Sequence, residues 1–117
     1  FDEAKRQHYA ALYAQPGAMR AGFAQFLAFS QDAADNRTFL AQGKLQMPVL
    51  GFGGEATFGP LIGAVMRSVA ENVEEAIIPD CGHWITEEQP QATTDLVVDF
   101  LRRADARSGV SCGGVAA

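Results

Sequence analysis

The segment Pro79-Asp80-Cys81-Gly82-His83-Trp84 contains the residue types from which chemistry is most readily expected. It directly follows a strand-like run, so His83 is predicted at the carboxyl end of a strand. Ligands bind at that edge in open parallel sheets, and Gly82 allows the backbone to pass close to a neighbour. A neutral imidazole can take a proton from water near physiological pH and return it. The segment therefore predicts that His83 is a general base facing a cleft.

The other reactive side chains indicate neither a metal site nor a cofactor site. Cys81 and Cys112 lie far apart without a metal-binding spacing, and both are expected to be unpaired thiols. The only other histidine, His8, is distant from His83 and is expected on a helix surface. A Cys81–His83 pair is rejected, because neighbouring residues at a strand end rarely point toward each other. We expect no cofactor and no metal.

Helical periodicity in the first third of the chain predicts three consecutive helices. They are expected at residues 2–14, 18–29 and 32–42. Pro16-Gly17 interrupts the pattern as a turn, and Gly43 ends it. Phe23, Phe26 and Phe29 have two interpretations: they line an apolar substrate pocket, or they pack between helices.

The following part of the chain alternates between strand and helix. The pattern predicts strands at 47–52 and 73–78, a helix at 61–70 and a last helix that begins near Pro90. Such alternation is typical of parallel strands joined by helical crossovers, so the fold class is α/β. Because two parallel strands cannot form such a sheet alone, we expect this part to complete a larger sheet. Residues 105–117, which contain two glycine clusters, are expected to be a flexible tail.

Charge and hydropathy limit the kinds of partner. The net charge is -5 and the nine basic residues are scattered, which argues against binding to nucleic acid. No apolar run approaches the roughly 20 residues that span a bilayer, and the first residues do not resemble a signal peptide. We therefore expect a cytoplasmic protein without membrane contact whose partner is a small molecule.

The alternating part resembles the C-terminus of the α/β-hydrolases. The histidine loop and last helix of that fold are similar to Gly82-His83-Trp84, to the acidic run Glu87-Glu88-Gln89-Pro90 and to the closing helix through Asp99-Phe100-Leu101. The preceding strand of the fold is similar to Pro48-Val49-Leu50 followed by Gly53-Gly54-Glu55.

The helical first part resembles the epoxide hydrolase and haloalkane dehalogenase branch of this family. Residues 13–23 are similar to the end of its helical cap and the return to the core. The resemblance extends from Phe1 to about Arg103. It implies that residues 1–46 end the cap and return to the core, and that residues 47–104 form the C-terminal β-α-β-α of the hydrolase core, completing its parallel sheet. Residues 105–117 would then be the tail.

The resemblance also implies a mechanism. In this branch a carboxylate opens the substrate and forms an ester, and a histidine activates the water that hydrolyses it. That role is assigned to His83, with an epoxide, a haloalkane or an ester as the small organic substrate. Many relatives carry the acid that orients the histidine at a position that is near Thr57 here, which bears no charge, so Glu55 is the candidate acid. An acid from a loop outside this chain is the alternative.

The sequence contains no recognisable nucleophile. Neither a Gly-x-Ser-x-Gly nor a comparable Gly-x-Asp-x-Gly elbow occurs between a strand and a helix. We therefore expect the chain to be inactive alone and to need the N-terminal part of the same enzyme as a partner. The alternative is a non-catalytic binding or structural module that forms a homodimer through an exposed sheet edge.

Two aromatic residues are candidates for substrate binding. Trp84 follows the histidine, and packing beside the loop is its alternative role. Phe26 lies near the place where epoxide-opening relatives carry a cap tyrosine, which favours dehalogenation or ester cleavage over epoxide hydrolysis. Glu87 and Glu88 are interpreted as a solvated, negatively charged start of the last helix.

Overall fold

The computed structural model describes residues 2–109, which divide into a helical unit that ends at Gly43 and a mixed unit that begins at Lys44. Among these residues, no helix combines the length and apolar character that crossing a membrane requires.

The helical unit contains the three predicted helices. They are α1 (Glu3–Tyr13), α2 (Ala18–Leu27) and α3 (Phe29–Leu40). Asp2 caps α1, since its side chain accepts a hydrogen bond from the Lys5 amide at 2.8 Å. Gly17 has a φ of 85°, a left-handed conformation that suits glycine and turns the chain into α2. The third helix begins at Phe29 rather than at Asp32, because no glycine or proline separates it from α2.

The mixed unit contains the predicted strand, helix, strand and helix in that order. Strand β1 (Leu45–Gly54) and strand β2 (Ala70–Ile78) pair in parallel, with helix α4 (Gly59–Val69) between them in sequence. The register places Gly54 opposite Ile78, so the carboxyl ends of both strands lie at one edge. Both strands are longer than predicted, because backbone pairing continues beyond the apolar runs: Asn72 pairs with Pro48, and Leu45 pairs with Ala70 after an irregularity in the register.

The chain ends in two helices, α5 (Ile85–Glu88) and α6 (Pro90–Ser108). The sequence did not predict α5, because four residues are too few to produce a helical period. The predicted start of a flexible tail at residue 105 was wrong, since Asp105–Ser108 form the last turn of α6 and Gly109 ends it with a φ of 67°. The remaining predicted tail residues, 110–117, lie outside the described residues.

Helices α4 and α6 lie on opposite faces of the strand pair. Glu75 of β2 forms an ion pair with Arg67 of α4 at 2.9 Å. Its neighbour Glu74 pairs with Arg103 and Arg107 of α6, each at 2.8 Å. Because successive side chains of a strand point to opposite faces, these contacts give a helix–sheet–helix arrangement.

The buried core of the mixed unit is small. Among the described residues, Ala70, Ile78 and Cys81 are its buried apolar side chains larger than glycine, and Thr93 is its buried polar one. By contrast, Ile77 is 51% exposed and Leu101 is 52% exposed. A two-stranded sheet with one helix on each face cannot cover these side chains. This exposure fits a part that completes a larger sheet.

Candidate active site

The loops after β1 and β2 are joined at the carboxyl edge of the strand pair. The Glu55 amide donates to the carbonyl oxygen of Ile78 at 2.9 Å, and the Ala56 amide donates to the carbonyl oxygen of Cys81 at 3.0 Å. These bonds continue the strand pairing past the ends of both strands. The segment that leads to His83 is therefore anchored on the β1 loop.

Gly54 allows this close approach. A Cβ atom added at Gly54 would overlap the carbonyl oxygen of Gly82 and would lie 2.5 Å from that of Cys81. Both obstacles are backbone atoms, which cannot rotate away as a flexible side chain could. Gly54, which the sequence predicted at the end of the strand, thus allows the histidine loop (residues 79–84) to lie against β1.

The turn before the histidine depends on Asp80 and Glu55. Asp80 has a φ of 50°, a left-handed conformation that aspartate tolerates better than most residues. Its amide donates to the Glu55 carboxylate at 3.2 Å. No hydrogen bond or ion pair joins Glu55 to His83 among the described residues. The role of Glu55 as the orienting acid stays a prediction, and the structure gives its carboxylate a different contact.

Glu88 holds the backbone on both sides of His83. One carboxylate oxygen accepts from the Gly82 amide at 2.6 Å, and the other accepts from the Trp84 amide at 2.9 Å. In return, the Glu88 amide donates to the Trp84 carbonyl oxygen at 2.8 Å. A Cβ atom at Gly82 would lie 3.0 Å from each carboxylate oxygen, so glycine makes room for this contact.

The contacts of Glu88 stabilise its charged form. The Gly82 amide, and then the Trp84 amide, hold the pKa of the Glu88 carboxyl below its ordinary value. The interpretation of Glu88 as a solvated start of the last helix was wrong, because its carboxylate closes the histidine loop. The residue types alone contain no signal for this role. The spacing is similar to a capping box, except that Glu88 lies four residues after the N-cap residue Trp84 rather than three.

The His83 side chain is exposed at this edge. Its ring lies 5.1 Å from the Trp84 ring, centroid to centroid, and the planes meet at 88°. No hydrogen bond or ion pair to its imidazole exists within residues 2–109. Trp84 is 59% exposed, so in this chain it does not fill a core. The two rings together form an uncovered surface above the strand ends.

This chain is similar to solved structures and to curated proteins. The fold is similar to the crystal structure of wild-type Cfl2 from Burkholderia cenocepacia, with a TM-score of 0.80 and 39% identity over 86% of this chain and 34% of that chain. It is also similar to the ligand-free epoxide hydrolase CorEH, with a TM-score of 0.73 and 32% identity over 88% of this chain and 36% of that chain.

Among curated proteins, the soluble epoxide hydrolase of Corynebacterium sp. strain C12 is 32% identical over 86% of this chain. Epoxide hydrolase B of Mycobacterium tuberculosis H37Rv is 37% identical over 70% of it. The chain belongs to the α/β-hydrolases, in the branch that contains the epoxide hydrolases. No protein-family model matches this hydrolase chain.

This α/β-hydrolase chain spans 35% of the Corynebacterium relative and 25% of the Mycobacterium relative. It corresponds to the C-terminal portion of these larger proteins, as the sequence predicted. Both the recognition of the family and the predicted fold class are confirmed.

Cys81 of this hydrolase chain is a buried residue of the histidine loop. Burial, followed by the nearby charge of Glu88, raises the pKa of its thiol. A protonated, buried thiol is a poor nucleophile. Its weak contact is with the Gly82 carbonyl oxygen at 3.7 Å rather than with His83. Cys112 lies outside the described residues.

The remaining predicted site residue of the hydrolase chain, Phe26, lies in the helical unit. It is 56% exposed, and its ring meets that of Phe29 edge to face at 5.3 Å. Its role in substrate binding stays a prediction. Among residues 2–109, no cluster of three or more histidine, cysteine, aspartate or glutamate side chains is suited to hold a metal ion.

Proposed function

We propose that this chain contributes the water-activating base, His83, to a capped α/β-hydrolase that opens small epoxides through a covalent ester. The N-terminal part of such an enzyme is its proposed partner and supplies the carboxylate nucleophile. Residues 1–46 would end the cap, residues 47–104 would complete the core sheet, and the enzyme would act in the cytoplasm on a small molecule.

The single observation that carries the proposal is the state of His83. The imidazole stands exposed at the carboxyl edge of a parallel strand pair, and its flanking amides are held by Glu88. A base at this edge has access to a ligand, and its ring nitrogens are not used by hydrogen bonds to residues 2–109. The exposed apolar side chains of the mixed unit support a partner that covers them.

The proposed reaction has two steps. In the first, a carboxylate oxygen of the partner bonds to an epoxide carbon, the C–O bond of the ring breaks, and the resulting alkoxide takes up a proton. In the second, His83 takes a proton from water while the water oxygen attacks the ester carbonyl. The ester C–O bond then breaks, and His83 passes its proton to the diol that leaves. The carboxyl group gives up a proton, which restores the donor of the first step and regenerates the carboxylate.

An epoxide is proposed ahead of a haloalkane or an ester because of the names of the relatives. The curated relatives from Corynebacterium and Mycobacterium are both called epoxide hydrolases, as is the similar solved structure CorEH. Phe26 had favoured dehalogenation or ester cleavage over epoxide hydrolysis, because it lies where a cap tyrosine is expected. The names of the relatives outweigh this argument, since a tyrosine that protonates the alkoxide can lie in the partner.

The acid that orients His83 is proposed to come from outside this chain. Glu55 accepts a hydrogen bond from the Asp80 amide, and Glu88 accepts from the amides of Gly82 and Trp84. Both carboxylates therefore have a backbone partner, which favours the alternative of an acid on a loop of the N-terminal part over Glu55.

A chimeric enzyme tests the proposal. The region of the Corynebacterium epoxide hydrolase that precedes its match to this chain would be joined to residues 1–117. We expect the chimera to convert an aryl epoxide to its diol. In the His83→Gln variant, the ester should persist, so mass spectrometry under denaturing conditions should find a protein heavier by the mass of the epoxide. His8→Gln, which changes the other histidine, is the matched control and should turn over normally.

Equal turnover by the His83→Gln and His8→Gln chimeras would contradict the proposal. The competing possibility, a self-pairing module, predicts that the chain alone forms a homodimer and unfolds cooperatively. Sedimentation equilibrium and thermal unfolding of residues 1–117 distinguish it from a fragment, which is expected to lack a cooperative transition.

A further inference from the structure

The carboxylate of Glu88 joins the amides of Gly82 and Trp84, the residues on either side of His83. Its oxygens accept from the Gly82 amide at 2.6 Å and from the Trp84 amide at 2.9 Å. Charge-assisted hydrogen bonds of this kind are stronger than bonds between neutral groups. Together they hold the backbone before and after the histidine, while the imidazole makes no hydrogen bond with residues 2–109.

Glu88 is itself held in place. Its amide donates to the Trp84 carbonyl oxygen at 2.8 Å within α5. The helix that follows, α6, is attached to α5, since the buried Thr93 hydroxyl donates to the Ile85 carbonyl oxygen at 3.0 Å. The Gln89 side chain donates to the Asp80 carbonyl oxygen at 3.3 Å. The carboxylate therefore acts from a supported position rather than from a free side chain.

We infer that Glu88 is a positioning residue that sets the direction of the His83 imidazole by bridging its neighbouring amides. In residues 2–109 the ring has no hydrogen bond of its own, so its direction depends on the backbone and on the edge-to-face contact with Trp84. A base displaced by about 1 Å can slow a reaction by about a hundredfold. This inference rests on the proposed function, because it assumes that His83 acts on water.

The first test concerns the bridge and needs no substrate. Two-dimensional amide NMR of the chimera described above, which supplies the rest of the sheet, would compare the wild type with Glu88→Gln, Glu88→Asp and the control Glu71→Gln, which removes the same charge from the first part of β2. We expect downfield Gly82 and Trp84 amide protons in the wild type and in Glu71→Gln. Glu88→Gln should shift both upfield, because an amide group cannot offer two charged acceptor oxygens. Glu88→Asp should lose at least one bond, because its side chain is one methylene shorter.

Unchanged Gly82 and Trp84 shifts in Glu88→Gln would overturn the inference. Random-coil shifts of both amides in the wild type would overturn it as well, since every group of the bridge belongs to this chain.

The second test concerns the consequence for catalysis and uses the chimera described above. Single-turnover measurements separate formation of the ester from its hydrolysis. We expect Glu88→Gln to slow hydrolysis by about tenfold to a hundredfold while ester formation and KM stay close to wild type. Glu88→Asp, which keeps the charge, should also be slow. A merely structural role would instead reduce both steps together, through a smaller active fraction.

The outcomes separate this inference from the function on which it rests. If His83→Gln traps no ester although wild-type chimera turns over, the proposed function fails regardless of the NMR result. If His83→Gln traps the ester and Glu88→Gln hydrolyses it at the wild-type rate, the function stands and the positioning role of Glu88 is overturned.

Discussion

Gly54 and Gly82 meet at the point where the histidine loop crosses the end of β1, and a Cβ atom at Gly54 would overlap the Gly82 carbonyl oxygen. Two backbone segments are in contact there without a side chain between them. The position of His83 therefore depends on the small size of Gly54, which is distant in sequence and ends strand β1.

Substituting Gly54→Ala should destabilise the mixed unit. The added methyl group must displace backbone, so we expect a loss near the upper end of the overpacking range, about 2–3 kcal/mol. Urea unfolding of the chimera described above, followed by far-UV circular dichroism, measures the change. Gly22→Ala is the control, since the Cβ atom there meets the Tyr13 ring at an ordinary 3.9 Å and alanine favours a helix. A Gly54→Ala protein as stable as the control would contradict the close approach.

Acidification should loosen the end of α6. Hydrogen bonds from Arg103, and then Arg107, lower the pKa of Glu74, so its charged form is favoured in the folded state. The resulting stabilisation is present above the ordinary value of 4.5 and is lost as the pH falls through the lower pKa of the folded state.

Hydrogen exchange of the chimera described above measures this effect. At pH 7, Glu74→Gln should lower the protection of the last turns of α6 several-fold, and the difference from wild type should disappear at low pH, where Glu74 is protonated. High salt should weaken the effect, because the ion pairs are accessible to solvent. Glu71→Gln should leave α6 unchanged at every pH. Equal protection in the wild type and in Glu74→Gln at pH 7 would rule out a role for the ion pairs.

The sequence predicted those features that depend on local patterns. The order of the elements and the parallel class follow from periodicity, and the placement of His83 after β2 follows from the end of an apolar run. It could not predict the bridge made by Glu88, because this contact depends on how the loop folds back onto α5. Glu88 looked like any acidic residue near a helix start.

Exposure was the other feature that local patterns could not give. Helical spacing indicates which face of α6 is apolar, yet Leu101 on that face remains 52% exposed. The sequence pattern identifies the apolar face of a helix, but that face is buried only where another element packs against it. Phe26 and Trp84, which were predicted to bind substrate, illustrate the same limit, since both are aromatic and exposed, and no local signal separates packing from binding.

Removing the Thr93 hydroxyl should loosen the connection between α6 and α5, the short helix that follows the histidine loop. This hydroxyl is buried and donates to the Ile85 carbonyl oxygen at 3.0 Å. Thr93→Val keeps the shape of the side chain and deletes the donor, so we expect a loss of about 1 kcal/mol. Thr93→Ser keeps the donor and deletes a methyl group, which separates the hydrogen bond from packing. Urea unfolding of both variants in the chimera measures the difference, and a Thr93→Val chimera as stable as the unsubstituted one would show that the bond contributes nothing.

Cys81 should react slowly in the folded chain, although it lies two residues from His83. Its side chain is buried, and burial raises the pKa of its thiol, so little of the reactive thiolate forms near neutral pH. In the chimera with Cys112→Ser, followed by mass spectrometry of the peptide that contains Cys81, we expect a disulfide reagent to modify Cys81 at least about tenfold more slowly than in urea. Glutathione under the same conditions provides the rate of an unhindered thiol. A Cys81 that reacted faster than glutathione would have to be an accessible, activated thiolate, and His83 would then be the nearest candidate for its activation. The rejection of a Cys–His pair therefore depends on this rate.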